Sequence, residues 1–152
     1  MRSKQVARGL LLGSVVLFAA SLTQNAFCLG RFDLPGRLKC DNLGFAVLAL
    51  GWMETLTLDE VGPFVAFPWF ANPCLVLAWT FVLASKRWLA VAFAGVGGLL
   101  GLSFLLGRVV QMSEGGNPAD PIQSYGAGYW LWLGSLALAF MSAAFTRRVA
   151  SP

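Results

Sequence analysis

Long uncharged stretches alternate with short polar segments along the whole chain. Four apolar runs of about 20 residues lie at about 9–27, 64–84, 88–107 and 126–146. At about 1.5 Å per residue, a helix of this length crosses the roughly 30 Å hydrocarbon core of a bilayer. A fifth run, at about 43–57, reaches Glu54 after eleven residues and is too short to cross in the same way. The pattern predicts four transmembrane helices and one short re-entrant or interfacial helix.

Composition supports a membrane protein with a single domain, residues 1–152. Hydrophobic residues make up 57% of the chain and charged residues only 12%, and the mean hydropathy is +0.69. Soluble proteins carry about a quarter charged residues, so a chain this apolar needs lipid as its solvent. We therefore expect an all-α membrane bundle whose main partner is the lipid bilayer. The net charge of +4 lies in short clusters beside apolar runs, which is typical of membrane orientation and not of nucleic-acid binding.

The distribution of charge favours four crossings over the alternative of five. With four crossings, one side of the membrane holds seven basic residues and no acid, and the other side holds four basic residues and all seven acids. A fifth crossing by 43–57 would mix these groups. Because Lys and Arg in short loops stay on the cytoplasmic side, four crossings with both termini cytoplasmic are predicted. The first run is interpreted as a retained helix, with a cleaved signal peptide as the alternative.

Two polar segments are expected on the outer side as loops, at 28–42 and 108–125. The first is bounded by Cys28 and Cys40, which could close a disulfide if that side is oxidising. Two unrelated thiols near the interface are the alternative. The second loop carries turn-forming Gly, Asn and Pro residues.

The run at 64–84 contains Pro68 and Pro73, so a helix break is predicted there. Proline at position 73 removes the hydrogen bond to the carbonyl of Trp69, and Asn72 could instead cap a helix that begins at Pro73. A broken helix beside a re-entrant segment can form a binding site, and it can equally be a structural bend.

Small residues predict close helix packing along two runs. Gly97 and Gly101 form a Gly-xxx-Gly pair, and Ala90, Ala94 and Gly98 share one helical face. In the last run, small side chains follow each other at helical spacing, at Ser135, Ala139 and Ala143.

The sequence contains few of the residues and motifs that catalysis usually requires. There is no histidine and no Cys-x-x-Cys pair, and no metal-ligand cluster, phosphate loop or nucleophile–base pair is visible. We expect no cofactor, no metal site and no enzymatic activity. One candidate polar cluster in the outer leaflet combines Glu54, Asn72, Arg108 and Gln111, because an acid at membrane depth usually needs a partner. The alternative is that Glu54 lies at the headgroups.

Four short motifs resemble a pattern in small multi-pass bacterial inner-membrane proteins of uncharacterised activity. They are Ser21-Leu22-Thr23-Gln24, Leu50-Gly51-Trp52, Trp69-Phe70-Ala71-Asn72-Pro73 and Gly128-Tyr129-Trp130-Leu131-Trp132. The resemblance implies a bacterial plasma membrane and no particular activity. The leading hypothesis is a non-enzymatic accessory or partner-binding subunit, either a homo-oligomer or bound to another membrane protein. A small transporter or ligand-binding protein, and a thiol-redox protein using Cys28 and Cys40, are the alternatives.

Overall fold

Four helical segments of the computed structural model are long and apolar enough to cross a membrane. The structure describes residues 2–30, 38–56, 63–107, 109–110 and 120–146. We refer to the four segments as the first to fourth spans: Lys4–Leu22, Pro63–Leu83, Arg87–Leu106 and Ala127–Phe145. Four of the predicted crossings are therefore confirmed as helices of sufficient length and composition.

The helices and strands follow one another as follows: α1 Arg2–Leu22, β1 Asn25–Gly30, β2 Leu38–Leu43, α2 Gly44–Leu50, α3 Pro63–Ala66, α4 Ala71–Leu83, α5 Arg87–Ser103, β3 Val109–Val110, β4 Asp120–Tyr125 and α6 Ala127–Phe145. Short 3₁₀ segments follow α2 (Gly51–Leu56), α3 (Phe67–Phe70) and α5 (Phe104–Leu106). The second span is thus α3, a 3₁₀ turn and α4.

The prediction of an all-α fold is wrong for the polar segments. Both regions predicted as loops contain strands, and these form one sheet of order β2-β1-β4-β3. β1 pairs antiparallel with β2 on one side and with β4 on the other. Each strand is six residues or fewer, and β1 and β2 pair with irregular register. Strands this short and irregular show little alternation of apolar and polar residues, and the pairing of β1 with β4 joins two distant loops.

The first helix also differs from its prediction. It ends at Leu22 and not near residue 27, because Asn25–Gly30 leaves the helix to form the central strand β1. Phe27 and Leu29 are buried there in a core cluster with Phe104 and Tyr129. The apolar residues that seemed to extend the first span instead pack the sheet onto the bundle.

The spans pack side by side, with α1 along α6, α6 along α5, and α5 along α4. The core between them is built largely from alanine. One cluster combines Ala71, Ala78, Ala94 and Ala139 with the larger Leu75 and Leu136. A second cluster lies at the end of the bundle away from the sheet and contains Leu11, Val82, Ala90 and Ala143. We call the end of the bundle that carries strands β1 to β4 and α2 the sheet end. We call the opposite end, which carries Lys4, Arg8, Lys86 and Arg87, the basic end.

The apolar run predicted at 43–57 forms α2 and its 3₁₀ continuation, which ends at Leu56. Its apolar helical part, Gly44–Met53, has ten residues and falls short of a span. Within the described residues, no fifth helix is long enough to support the alternative of five crossings. α2 begins beside the end of the first span, where the Gly44 amide donates to the Gln24 carbonyl over 2.9 Å. A side chain at residue 44 would collide with the backbone carbonyl of Ser21, which explains the glycine.

Candidate functional site

The sheet end is closed by a covalent bond. Cys28 in β1 and Cys40 in β2 are joined by a disulfide, with their Cα atoms 4.3 Å apart. Both half-cystines are partly exposed. Asn42 on β2 is buried, and its side-chain amide donates to the Phe27 carbonyl of β1 over 3.3 Å. Closure of a loop this short contributes about 3 kcal/mol in the chain-entropy model.

The sheet lies against the bundle through the Tyr125 hydroxyl, the buried Tyr129 side chain and one glycine. Tyr125 in β4 donates to the Phe104 carbonyl over 2.9 Å, and Tyr129 in α6 donates to the Gly101 carbonyl over 3.0 Å. Burial raises the pKa of the Tyr125 phenol, so the proton needed for this bond is retained. Gly126 is required between them, because a side chain there would collide with the Asn25 carbonyl.

The helix break in the second span is stabilised by the side chain of Asn72. Pro73 has no N–H to offer the carbonyl of Trp69, four residues before it. The Asn72 side-chain amide donates to that carbonyl over 2.9 Å and so replaces the missing donor. The alternative that Asn72 caps a helix starting at Pro73 is wrong, because α4 begins at Ala71 with no side-chain cap. Pro68 lies in the 3₁₀ turn itself, and Pro73 lies within α4.

Two indoles extend this contact to neighbouring elements. Trp132 of α6 donates from Nε1 to the Asn72 Oδ1 over 2.9 Å. Trp69 donates from Nε1 to the Leu48 carbonyl of α2, also over 2.9 Å. We call Trp69, Asn72 and Trp132 the Trp–Asn–Trp chain. It connects the short helix, the break in the second span and the fourth span by one hydrogen bond at each step.

Serine hydroxyls continue the connection into the middle of the bundle. Ser135 donates to the Trp132 carbonyl over 2.7 Å, and Ser14 of the first span donates to the Ser135 carbonyl over 2.7 Å. The Trp79 indole of the second span donates to the Ser14 hydroxyl over 2.9 Å. Ser14 and Ser135 are fully buried. Each of these bonds satisfies a polar atom that hydrocarbon could not solvate.

The four predicted packing residues lie at helix contacts. Ser135 and Ala139 of α6 are fully buried, and Gly97 and Gly101 are buried on the face of α5 that also carries Ala90 and Ala94. A Cβ added at Gly97 would lie 3.1 Å from Leu136 Cδ2 and 3.2 Å from Cys74 Cβ. The predicted face through Gly98 is displaced by one residue, since nothing lies within 4 Å of a Cβ at Gly98.

Of the predicted outer-leaflet cluster, the structure describes only the Asn72 side chain. The side chain of Glu54, and all of Arg108 and Gln111, lie outside the described residues. Asn72 is described, and both its amide nitrogen and its oxygen take part in the Trp–Asn–Trp chain. Among the described residues, no group of three or more His, Cys, Asp or Glu could hold a metal ion.

A shallow apolar groove of about 350 Å³ separates α5 from α6 on the outside of the bundle. It is lined by Gly95, Gly98, Leu99, Leu102, Phe140 and Met141, among others. Most of these larger side chains are strongly exposed, so in a membrane the groove opens toward lipid. It provides no polar group that would select a solute.

Sequence reasoning identified Asn72 but not its partners. The Trp–Asn–Trp chain joins residues that are 60 positions apart in the sequence, and no periodicity signals that the Trp132 indole meets the Asn72 amide. The available signal was chemical: an amide and indoles at membrane depth all require hydrogen-bond partners.

Comparison of the chain with protein-family models, with curated proteins and with solved structures returns no match. The resemblance to small bacterial inner-membrane proteins therefore stays a prediction.

Proposed function

We propose that the chain is a non-enzymatic accessory subunit of a bacterial plasma membrane, which presents its sheet end to a protein partner. The observation that carries this proposal is the assembly of the sheet end. Two distant loops form one sheet, a disulfide closes it, and the Tyr125 hydroxyl bonds it to the third span. The Trp–Asn–Trp chain bonds the neighbouring α2 to the second and fourth spans. Such a covalently closed surface suits recognition, whereas chemistry would need polar groups left free for a substrate.

The four motifs behind the resemblance support this role, because they meet at the sheet end. The Gln24 carbonyl accepts from Gly44 and approaches Gly128. The Trp69 indole lies against Gly51, where a Cβ would be 2.9 Å from its Cδ1 atom. Trp132 reaches Asn72. The motif residues thus serve to hold the sheet end in place, which is the expected pattern when that surface is the functional part.

The orientation follows from charge and redox chemistry. Disulfides persist on the oxidising side of a bacterial membrane, and Lys and Arg accumulate on the cytoplasmic side. Both rules direct the sheet end outward and both termini to the cytoplasm. α2 lies beside the second span at Trp69, with Phe45 and Leu50 exposed, which supports an interfacial position for it in the outer leaflet.

Affinity purification from a mild detergent tests the proposal. A tagged chain expressed at its native level should return a second protein at a fixed stoichiometry, measured by quantitative mass spectrometry. The double substitution Cys28→Ser/Cys40→Ser should lower recovery of that protein at least tenfold, because it loosens the surface that the partner recognises. Cys74→Ser is the matched control, since Cys74 is the free cysteine on α4.

Two outcomes would contradict the proposal. One is recovery of the chain without a stoichiometric partner. The other is a partner whose recovery is the same with and without the disulfide.

The partial exposure of Cys28 and Cys40 supports thiol-redox exchange as a second candidate function. Differential alkylation in growing cells separates the two functions. A structural disulfide should remain fully oxidised under all conditions, whereas an exchanging pair would show a reduced fraction that changes when the oxidant supply changes.

A further inference from the structure

The basic end of the bundle gathers positive charge at the level where two spans meet. α4 ends and α5 begins within three residues, at Ala84, Ser85 and Lys86. Ser85 has a left-handed backbone with φ of 58°, and the Lys86 amide donates back to the Phe81 carbonyl over 2.8 Å. This closure is a Schellman-type helix end with serine in the place usually taken by glycine. It holds Lys86 and Arg87 together at one end of the bundle.

Two more cations belong to the same end. Leu11 of α1 packs in one cluster with Val82 and Ala90, and Arg8 precedes Leu11 by one helical turn, with Lys4 one turn further out. Lys4, Arg8 and Lys86 are exposed. The described residues of the four spans include no Asp or Glu, so these helices offer no carboxylate to the four cations.

The immediate surroundings of Arg87 agree with a position at the membrane surface. Its guanidinium carbon lies 5.8 Å from the ring centre of Trp88, and the Trp88 side chain is exposed. Tryptophan and arginine beside each other at the end of a span are typical of the headgroup layer. The first amides of α5 also have no side-chain cap, and they add a partial positive charge in the same place.

We infer that the basic end binds the headgroups of anionic lipids, with Lys86 and Arg87 as the main contacts and Arg8 and Lys4 as additional ones. A lipid phosphate supplies the negative charge that the four spans do not, at the depth where these cations lie. Each Lys or Arg near an anionic surface contributes about 1 kcal/mol, which corresponds to about fivefold in binding. Removing both Lys86 and Arg87 should therefore weaken selection about 25-fold.

Lipid selectivity of the full chain in liposomes measures this directly. Spin-labelled phosphatidylglycerol and phosphatidylcholine report, by electron paramagnetic resonance, the relative association constant of each lipid with the protein. Wild type should prefer phosphatidylglycerol, Lys86→Gln and Arg87→Gln should each reduce the preference about fivefold, and the double variant should reduce it about 25-fold. Lys39→Gln, which removes one positive charge from strand β2 at the sheet end, is the matched control and should leave the preference unchanged.

Further measurements distinguish a lipid phosphate from free phosphate as the bound anion. Raising the salt concentration should reduce the preference, because exposed charges are screened. Inorganic phosphate added to phosphatidylcholine liposomes should not protect the protein against thermal denaturation as phosphatidylglycerol does. Equal protection by free phosphate would overturn the assignment to a lipid. So would equal association of the two lipids with wild type, or an effect of Lys39→Gln as large as that of Lys86→Gln.

Discussion

The sheet end and the interior of the bundle are held together by different means. The sheet end depends on backbone pairing between two distant loops and on the Cys28–Cys40 bond. The interior depends on alanine and glycine contacts and on hydroxyls that donate to carbonyls of other spans. In lipid, burial of apolar surface does not drive helices together, so close approach and specific bonds must do so. The comparison teaches that the two regions should fail separately when each is perturbed.

Removal of the disulfide should produce the largest effect, and it should be confined to the sheet end. Cys28→Ser/Cys40→Ser is expected to lower the stability of the sheet by about 3 kcal/mol, because the open loop regains its conformational entropy. Hydrogen exchange followed by mass spectrometry should show faster exchange in β1, β2 and β4 and little change in α1 and α6. Cys74→Ser should leave both regions unchanged. Equal loss of protection in the spans would refute the separation of the two regions.

Overpacking of the third span should disturb the interior and spare the sheet. Gly97→Val places side-chain atoms where Leu136 and Cys74 already lie, and overpacking of this kind costs roughly 1–3 kcal/mol. Gly98→Val is the matched control, because it makes the same change in helix propensity one residue along, where the space is open. Unfolding in mixed detergent and SDS micelles, followed by tryptophan fluorescence, should separate the two variants. Equal stabilities would contradict the packing of α5 against α4 and α6.

The same contrast explains how much could be predicted from sequence. The spans could be placed because the length and apolar composition of each run identify it without reference to the rest of the chain. The small size of Gly97 and Ala139 was enough to predict close helix packing. The sheet could not be predicted, because β1 pairs with a strand almost a hundred residues away. Its apolar residues Phe27 and Leu29 also resemble a continuation of the first helix. At the candidate site, Asn72 and the Cys28–Cys40 pair could be identified from the sequence, while the bond between Asn72 and the Trp132 indole depends on three-dimensional packing.

The Trp–Asn–Trp chain connects the two regions, so breaking it tests how tightly they are coupled. Asn72→Leu keeps the size of the side chain but leaves the Trp69 carbonyl and the Trp132 indole without their partners. Unsatisfied buried groups cost about 1–3 kcal/mol each in water-soluble proteins, and bonds between membrane helices average about 0.6 kcal/mol. We expect a loss of about 1.5 kcal/mol and faster hydrogen exchange in α2 as well as in α4.

Thr80→Val is the control for that substitution, because the Thr80 hydroxyl donates only to the Val76 carbonyl of its own helix. It should change stability by less than about 0.5 kcal/mol. If Asn72→Leu accelerates hydrogen exchange in α4 alone, then α2 is held by other contacts and the Trp–Asn–Trp chain does not couple the two regions.

The smallest effect is expected at Ser14, and it decides whether single hydroxyls matter in the interior. Ser14→Ala removes the donor to the Ser135 carbonyl and the acceptor of the Trp79 indole, two bonds that join three spans. At about 0.6 kcal/mol for each bond between membrane helices, the loss should be about 1 kcal/mol. Ser103→Ala is the control, since the Ser103 hydroxyl donates within its own helix to Leu100. A measurable loss at Ser14 and none at Ser103 would place the stability of the interior in bonds between spans. Equal, negligible effects would mean that alanine and glycine packing is the main source of stability in the bundle. The bundle would then be held by close packing of side chains, and the sheet by a covalent bond.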